Sequence, residues 1–367
     1  MTEQDYMRRA IDLARKGTGF TNPNPLVGAV IVKEGRIIGE GYHERYGELH
    51  AERNAIRHLT ESAEGASIYV TLEPCCHYGK TPPCTEAIIE NRIARVVIGS
   101  RDPNPLVSGK GAAILRAHGI EVVEDFLREE CDQLNPVFFH YISTRTPYVV
   151  MKYAMTADGK IATKTGASKW ITGPEARQEV MKLRHKYMGI MVGIGTVLAD
   201  DPTLNCRIPG LKSPVRIICD SRLRIPLDSN ICKTAGQYRT IVAYAEGEEE
   251  KLAQLETCGI SCVQVSDTKG RVDLEKLMVY LGEEEKIDSI LLEGGGSLNE
   301  SALKAGIVKE VYAFLAPKIF GGSKGTSPVE GEGVELPSDA YRLDFQSAKQ
   351  IGKDLMICYR VRTNDCL

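Results

Sequence analysis

The chain has 367 residues, and a globular domain averages roughly 150, so two or three domains are expected. Hydrophobic residues make up 43% of the chain and charged residues 26%, which excludes wholesale disorder. The 46 basic and 49 acidic side chains leave a net charge of −3, which argues against a nucleic-acid or anionic-membrane binder.

The N-terminal residues, the apolar stretches and the cysteines indicate the cellular compartment of the protein. Residues 1–5 are acidic and lack the apolar core of a secretory signal. The most apolar stretch, 189–199, is far shorter than the ~20 residues that a membrane span needs. Eleven cysteines, mostly scattered singly, argue against a disulfide scaffold. The sequence therefore predicts a soluble, cytoplasmic protein without a membrane partner.

Residues 1–145 alternate between helical and strand patterns. Apolar residues at helical spacing predict a first helix that closes at Gly17, and Glu34-Gly35 between two apolar runs predicts a hairpin. Further helices are predicted over 50–59, from Pro82-Pro83 to 89, and near 112–118. Strands are predicted over 67–72, 95–99 and 120–123. This alternation predicts a largely parallel sheet covered on both faces.

The pattern pauses at 143–147, which we take as the boundary between a domain over 1–145 and a second over 146–367. A second α/β run follows, with strands predicted over 148–154, 189–193, 215–219, 240–244, 289–292 and 311–315. The acidic segment 246–251 is typical of a solvated helix start.

His50, Cys75 and Cys84 have the residue types of a zinc site. Three such ligands with a fourth, open position are typical of catalytic rather than structural zinc. Glu52 follows the histidine by two residues, where it can carry protons to and from a zinc-bound water. Zinc lowers the pKa of that water from about 15.7 to about 7, so hydroxide can displace ammonia from a ring carbon. The pattern predicts a deaminase, with a structural zinc or no metal as the alternative.

The spacing of the two cysteine ligands is unusual. In the commonest form of this signature they stand three apart, whereas here a long loop separates them. Cys75 and Cys76 are adjacent and cannot easily both face one ion, so we predict that Cys75, which follows Pro74, is the ligand. Cys84 lies just inside a predicted helix N-terminus, whose dipole is expected to stabilise its thiolate.

Three motifs carry a family resemblance: His50-Ala51-Glu52, the run from Thr71 to Cys84, and Arg101-Asp102-Pro103-Asn104-Pro105. They closely resemble the bifunctional diaminohydroxyphosphoribosylaminopyrimidine deaminase/uracil reductases of riboflavin biosynthesis, a branch of the cytidine deaminase-like superfamily. The long loop between the cysteines marks that branch. The resemblance implies an N-terminal cytidine deaminase-like α/β/α domain. It also implies a pyrimidine or ribose-phosphate pocket lined by Asn24, His43, His77, Lys80, Asp102 and Asn104.

Two glycine motifs in the second half favour a nucleotide cleft. The strand over 289–292 leads into Gly294-Gly295-Gly296 and a helix start, a geometry that offers backbone N–H groups to phosphate. A second glycine motif, Gly193-Ile194-Gly195-Thr196, is followed by Asp200-Asp201 and also favours a nucleotide cleft. Neither motif is the dinucleotide fingerprint G-x-G-x-x-G, so a tight turn without a ligand remains the alternative for the first.

The runs 151–162, 168–172 and 193–196 resemble the reductase domain of the same family, which implies a dihydrofolate reductase-like α/β fold and NADPH. By that resemblance the cofactor would be held by Ala154, Trp170, Thr196, Asp200, Ser221, Gly295, Gly296, Ser297, Leu298, Asn299, Glu300 and Ser301. The sugar phosphate would be held by Ser168, Arg184, Leu204, Arg207 and Glu293.

Reduction of the ribose needs a hydride donor at C1′, a proton source, and cations at the 5′-phosphate. Arg184 and Arg207 suit the phosphate because guanidinium binds it bidentately. Lys152, Asp200 and Glu293 are the candidates for the proton, and the sequence does not rank them. Arg222 or Arg224 could bind the 2′-phosphate that distinguishes NADPH from NADH.

The leading hypothesis is a two-domain enzyme with one zinc ion per chain and NADPH, acting on a small phosphoribosyl pyrimidine, with a homo-oligomeric assembly. It would deaminate 2,5-diamino-6-ribosylamino-4(3H)-pyrimidinone 5′-phosphate and reduce the ribosyl group to give 5-amino-6-(5-phosphoribitylamino)uracil. A nucleic-acid deaminase is disfavoured by the net acidity and the cysteine spacing. A non-enzymatic binding protein is disfavoured by the intact set of His50, Glu52, Cys75 and Cys84.

Overall fold

The computed structural model of the chain describes residues 1–79, 82–104, 107–322 and 325–362. It divides into two compact units, Met1–Arg145 and Thr146–Leu367, each built on its own sheet. Within the described ranges, no helix is both long and apolar enough to cross a membrane.

The first unit contains a five-stranded sheet. Its strands are β1 (Gly28–Lys33), β2 (Arg36–Tyr42), β3 (Ser67–Leu72), β4 (Arg95–Ser100) and β5 (Glu121–Val123). Its helices are α1 (Glu3–Ala14), α2 (Ala51–Arg57), α3 (Cys84–Glu90), α4 (Lys110–Ala117), α5 (Arg128–Asp132) and α6 (Pro136–Thr144). The strand order is β2-β1-β3-β4-β5.

This sheet is mixed, so the prediction of a largely parallel sheet is wrong for the first unit. β1 pairs antiparallel with both β2 and β3, while β3–β4 and β4–β5 are parallel. The predicted hairpin is the reason, because Glu34 and Gly35 both adopt positive φ, at 50° and 75°. Two such residues form the tight turn that sends β2 back along β1.

Two predicted helix boundaries also shift. α1 ends at Ala14 and continues as a 3₁₀ turn over Arg15–Gly17. α3 begins at Cys84, with Pro83 at its cap rather than in its first turn. Pro82 precedes another proline, a position that disfavours helical backbone, so the helix starts only after the pair.

Helices cover both faces of the first sheet, as the alternation of its strand residues requires. Ile31, Ile68 and Ile98 are buried in one cluster with residues of α2, α3 and α4. On the opposite face, Val30 and Tyr69 are buried against α1. The β-strand ends that carry functional residues are thereby fixed between two packed layers.

The second unit contains a nine-stranded sheet. Its strands are β6 (Tyr148–Thr156), β7 (Gly189–Gly193), β8 (Val215–Cys219), β9 (Thr240–Tyr244), β10 (Ser261–Gln264), β11 (Ser289–Leu292), β12 (Val308–Ala316), β13 (Leu343–Ile351) and β14 (Asp354–Val361). Its helices are α7 (Pro174–Lys186), α8 (Ile194–Asp200), α9 (Asn230–Lys233), α10 (Glu249–Thr257), α11 (Leu274–Glu283) and α12 (Gly296–Lys304), with a 3₁₀ turn at Pro337–Asp339.

The strand order is β10-β9-β8-β7-β11-β6-β12-β14-β13. All pairs from β10 to β12 are parallel, and β14 and β13 add an antiparallel edge. The carboxyl ends of β8, β7 and β11 therefore lie side by side, which is where open parallel sheets bind ligands. The sequence predicted the strands at this edge but missed β10, β13 and β14. β13 is mostly exposed and carries polar residues on both faces, so it has no apolar alternation to detect.

Candidate functional sites

His50, Cys75 and Cys84 converge although three different elements carry them. His50 caps the N-terminus of α2, Cys75 follows β3, and Cys84 is the first residue of α3. Their ligand atoms lie within 4.8 Å of one another, with His50 Nδ1 3.4 Å from the Cys75 sulphur and 3.5 Å from that of Cys84. One nitrogen and two sulphurs around an open position fit the donor set of catalytic zinc. Cys76 is not part of this cluster.

The helix N-terminus stabilises a different thiolate from the one predicted. The backbone N–H of Cys84 donates to the sulphur of Cys75 at 3.4 Å. Hydrogen bonding with the Cys84 side chain lowers the pKa of Cys75 to about 4, while the same interaction raises the pKa of Cys84 well above its usual range. The reason is geometric, because first-turn N–H groups point out of the helix end toward the segment that holds Cys75.

Arg53, which the sequence analysis missed, connects α2 to the segment that leads into α3. Its guanidinium donates to the carbonyl of Pro82 at 3.0 Å and to that of Pro83 at 2.7 Å, directly before Cys84. Gly41 lets α2 approach β2 closely, since a Cβ there would lie 2.5 Å from the Ala51 carbonyl. From sequence alone, an arginine near a helix N-terminus is expected to be exposed to solvent, so no sequence signal indicates this contact.

Glu73 was also missed and fixes the segment that leads into Cys75. Its buried carboxylate accepts hydrogen bonds from the backbone N–H of Gly109 at 3.0 Å and of Ala112 at 3.3 Å, at the start of α4. A Cβ at Gly111 would lie 2.3 Å from the Pro74 carbonyl, so glycine permits the close approach. A carboxylate at this helix end also complements the helix dipole.

Glu52 lies on α2 beside the ligand cluster and is only 3% exposed. Burial raises the pKa of its carboxyl above the ordinary value, and the nearby Cys75 acts in the same direction. A carboxyl with a raised pKa can both take and return a proton near neutral pH, which general acid–base catalysis requires.

His43 packs against His50, and Asn24 contacts His43. The His43 ring stands edge-on to that of His50, with centroids 5.3 Å apart. Its Nδ1 lies 3.0 Å from the Leu49 carbonyl, and its Nε2 lies 3.1 Å from the Asn24 amide nitrogen. These partners assign the neutral tautomer with the proton on Nδ1. Burial lowers the pKa of His43, which agrees with a neutral ring.

The other predicted deaminase residues differ in environment. Asp102 is buried, and burial raises its pKa to about 6, with Cys75 and His77 close enough to influence it. Its carboxylate accepts the backbone N–H of Asn104 at 2.8 Å. His77 is exposed. Lys80 lies outside the described residues.

A cavity of about 870 Å³ opens at the carboxyl ends of β7 and β8 in the second unit. Most of the predicted cofactor residues line it, together with Ser168: they are Thr196, Asp200, Ser221, Gly295, Gly296, Ser297, Leu298, Glu300 and Ser301. A volume of this size is within the range of small-molecule and cofactor sites.

Two glycines leave space that the fold itself does not need. A Cβ at Gly195 would meet no atom within 4 Å, and one at Gly295 would meet only the Thr196 hydroxyl at 4.0 Å. Neither has a positive φ, so backbone conformation does not demand glycine there. Both line the cavity, where the missing side chains leave the main chain open to a ligand. The residues present therefore fit a phosphate-bearing cofactor.

Three predicted cofactor residues are not part of the cavity lining. Asn299 is buried and donates to the Pro328 carbonyl at 2.8 Å, so it fastens a loop. Trp170 is 61% exposed, with the Arg177 guanidinium 4.6 Å from its ring centre. Ala154 lies on β6 opposite Phe314.

Cations that could meet a cofactor phosphate also differ in position. Arg224 lines the cavity, whereas Arg222 does not. Arg271 and Lys304 line it as well, and the sequence analysis missed both. Arg271 belongs to the segment before α11, whereas Lys304 ends α12, the helix that follows Gly294-Gly295-Gly296, so only the folded chain shows that both line one cavity.

Arg184, Glu293 and Lys152 form a charged cluster beside β6 and β11. Arg184 and Glu293 make a two-point ion pair at 2.8 and 3.0 Å, each side chain being 12% exposed. The remaining Arg184 contact, at 3.1 Å, goes to the Asn205 carbonyl. Burial lowers the pKa of Lys152. Burial opposes ionisation of Glu293, yet Arg184 and Lys152 hold the pKa of its carboxyl below the ordinary value.

The remaining predicted substrate residues lie in or beside the segment after α8. Asp200 forms an ion pair with Lys169 at 3.2 Å and lies 3.5 Å from the Ser168 hydroxyl. Leu204 is buried with a positive φ of 55°, and Arg207 is exposed. Of the three proton-donor candidates, Lys152 and Glu293 therefore share a buried cluster, whereas Asp200 is held by Lys169.

Family comparisons match both units. The cytidine and deoxycytidylate deaminase zinc-binding region matches residues 1–100, and the RibD C-terminal domain matches residues 147–357. The riboflavin biosynthesis protein RibD of Actinobacillus pleuropneumoniae is 56% identical over 361 residues, covering 98% of this chain and 96% of that protein. RibD of Escherichia coli is 39% identical over 371 residues, covering 97% and 99%.

Solved structures agree with these matches. Form 1 of Acinetobacter baumannii RibD superposes with a TM-score of 0.88 at 36% identity, covering 98% of this chain and 99% of that one. A diaminohydroxyphosphoribosylaminopyrimidine deaminase/5-amino-6-(5-phosphoribosylamino)uracil reductase from Thermotoga maritima gives 0.86 at 39% identity, covering 98% of each chain.

The ligand cluster predicts the response of metal content to two neighbouring cysteines. Cys84→Ser should lose zinc because it removes one of the three clustered donors, whereas Cys76→Ser should keep it. Elemental analysis of both purified variants and the parent protein measures this. A Cys76→Ser protein without zinc would contradict the assignment of Cys75 and Cys84.

The open glycine predicts an affinity change without a folding defect. Gly195→Ala should weaken NADPH binding by about tenfold or more, equivalent to roughly 1.4 kcal/mol, because the methyl group occupies ligand space. Gly236→Ala is the matched control, since its Cβ also meets no atom within 4 Å but it does not line the cavity. Cofactor titration and thermal unfolding measure the two effects. Equal NADPH affinity in both variants would contradict a cofactor at Gly195.

Proposed function

This chain belongs to the RibD family of bifunctional deaminase/reductases of riboflavin biosynthesis, and we propose that its two units divide the two reactions. Residues 1–145 form the deaminase and residues 146–367 the reductase. The observation that carries the first assignment is the convergence of His50, Cys75 and Cys84 beside buried Glu52. The cavity with its open glycines supports the second.

The first reaction is hydrolytic deamination of 2,5-diamino-6-ribosylamino-4(3H)-pyrimidinone 5′-phosphate. His50, Cys75 and Cys84 would hold one zinc ion per chain, which would make hydroxide available near neutral pH. The Glu52 carboxylate takes a proton from the attacking water and returns it to the leaving amino group. His43 lies against His50 and Asn24 is bonded to His43, so the polar groups of these two residues would orient the pyrimidine ring. Asp102, Asn104, His77 and Lys80 complete the proposed substrate pocket.

The second reaction reduces the ribosyl group to ribityl. Bound NADPH would supply the hydride that is transferred to C1′. The open main chain at Gly195 and Gly295 would bind its phosphates, and Thr196, Ser221, Gly296, Ser297, Leu298, Glu300 and Ser301, which line the cavity, would hold the rest. Of the two arginines predicted from the sequence, Arg224 rather than Arg222 would bind the 2′-phosphate, because Arg224 lines the cavity and Arg222 does not.

Lys152 is our choice for the proton donor of the reduction. Burial lowers the pKa of its ammonium group, which makes proton release easier, and Glu293 beside it stabilises the charged form before transfer. Arg184 holds Glu293 in place through their two-point ion pair. Asp200 is less suited because Lys169 already neutralises it.

Further features support a cytoplasmic homo-oligomer. None of the ten cysteines that the structure describes forms a disulfide, as is usual in a reducing compartment. Val334, Leu336 and Phe345 are at least half exposed, and apolar surface of this kind often marks an interface.

Substrate and cofactor recognition should separate in two arginine variants. Arg207→Ala should weaken binding of the deaminated substrate by about 1.5–3 kcal/mol, the scale of a charged hydrogen bond, and leave NADPH affinity unchanged. Arg224→Ala should weaken NADPH binding but not NADH binding or substrate binding. Titrations of each variant with all three ligands measure this, and each variant is the control for the other. Equal losses for every ligand would mean that these arginines are structural. Arg184 is unsuitable for this test, because its removal leaves Glu293 buried and unpaired.

Glu52→Gln should separate the two chemistries. The substitution keeps size and hydrogen bonding but removes the proton carrier, so zinc should stay bound while deamination falls by about 10²–10⁴-fold. The reductase residues lie in the other unit, so deaminated substrate should be reduced at close to the parent rate. NADPH absorbance with deaminated and undeaminated substrate, run in parallel, measures both activities. A folded Glu52→Gln protein that cannot reduce deaminated substrate would contradict the two-site proposal.

A further inference from the structure

Arg216, on β8, is a buried cation that the proposed reactions do not use. Its side chain is fully buried, and burial lowers its pKa to about 10. Among the described residues, no carboxylate lies within ion-pair distance of it. Burying a charge without a counter-ion is costly, and an apolar side chain of similar size would fill the space more cheaply. The guanidinium is therefore explained by what it binds.

All five N–H groups of Arg216 are engaged by neutral oxygen atoms. The hydroxyls of Thr234 and Thr240 and the carbonyls of Ile231 and Tyr238 accept at 2.7–3.2 Å. The remaining bond, from Nη1 to the Thr203 carbonyl at 3.2 Å, reaches a different part of the chain. Arg216 thus joins the segment 231–240 to the segment 201–207 that follows α8, which we term the 201–207 loop.

The Thr203 carbonyl lies next to a strained residue. Leu204 has a φ of 55°, a conformation that is unfavourable for a residue with a Cβ and persists only where neighbouring contacts impose it. The Thr203 carbonyl, in the peptide group before Leu204, accepts from Arg216, and the Asn205 carbonyl, one residue beyond Leu204, accepts from Arg184 at 3.1 Å. Two arginines therefore hold one main-chain carbonyl on each side of Leu204, at Thr203 and at Asn205.

A second contact on the same loop runs to the same segment. The Asn205 amide donates to the Tyr238 hydroxyl at 3.0 Å, while the Asn205 side-chain oxygen is buried without a partner within the described part of the chain. A loop that satisfied its own polar groups would not leave this atom unpaired. Contacts with residues outside the loop, among them the bond from Arg216, therefore set the loop conformation.

From these contacts we infer that Arg216 is a positioning residue of the reductase, which holds the 201–207 loop so that Leu204 and Arg207 meet the sugar phosphate. The inference rests on the proposed function, because Arg207 is placed there as a phosphate ligand. Arg216 acts through Thr203 and touches neither substrate nor cofactor.

The test replaces Arg216 in the full-length chain and separates positioning from stability. Arg216→Met removes both the buried charge and the bond to Thr203. We expect KM for the deaminated substrate to rise at least tenfold, with kcat changed less than threefold. NADPH affinity and the deaminase rate should stay within twofold of the parent values, since neither depends on the 201–207 loop.

Thr240→Val is the matched control. It removes two of the Arg216 contacts at the β9 end but leaves the bond to Thr203, so it should lower the unfolding temperature without raising KM. Hydrogen exchange provides a readout that does not depend on turnover. Amides of residues 203–207 should exchange at least tenfold faster in Arg216→Met and at the parent rate in Thr240→Val.

Unchanged KM and unchanged exchange over 203–207 in Arg216→Met would overturn the inference. If Arg216→Met does not fold, Tyr238→Phe decides, because it releases Asn205 without disturbing the buried charge. KM should then rise about three- to tenfold, and an unchanged KM would overturn the inference. Failure of the parent protein to reduce deaminated substrate would instead refute the proposed function, while the exchange measurement would still test the role of Arg216.

Discussion

The first unit depends on holding an imidazole and two thiols within 4.8 Å of one another by protein contacts. The ligands come from the N-termini of two helices and the end of a strand, so the spacing of α2 and α3 sets the geometry. Close approach at Gly41 and the Arg53 contacts to Pro82 and Pro83 fix that spacing. A site held in this way needs little reorganisation when it binds its metal.

The same constraint orders the groups around the ligands. Glu52 is one of the first residues of the helix that His50 caps, so the proton carrier cannot move independently of the ligand. His43 packs edge-on against His50, with its second nitrogen fixed by Leu49. Burial then adjusts the proton affinity of these groups, because it raises the pKa of the Glu52 carboxyl and lowers the pKa of the His43 imidazole.

The second unit must accommodate a large anionic ligand in a chain whose net charge is −3. It does so with open space at Gly195 and Gly295 and with arginines of two kinds. Arg184 and Arg216 are largely or fully buried and bind protein oxygens, so they set the shape of the loops. Arg207 and Arg224 are exposed and available to phosphate. Burial therefore divides one residue type between positioning and binding, which the planar guanidinium suits because it can bind several oxygens at once.

The sequence by itself determined the two α/β halves, the buried strands at the ligand edge, the three residues that converge as a metal-ligand cluster, and the family. These features depend on local periodicity, turn residues and short motifs, each of which can be recognised within a short stretch of sequence. Only the tertiary structure decided the antiparallel pairing of β1 with β3, the edge strand β13, and the thiolate that the α3 N-terminus stabilises. It also revealed Arg53, Glu73 and Arg216, whose partners lie on other elements and loops that come into contact only when the chain folds. A polar side chain carries no sequence signal of what it will bind, because burial and distance arise only when the chain has folded.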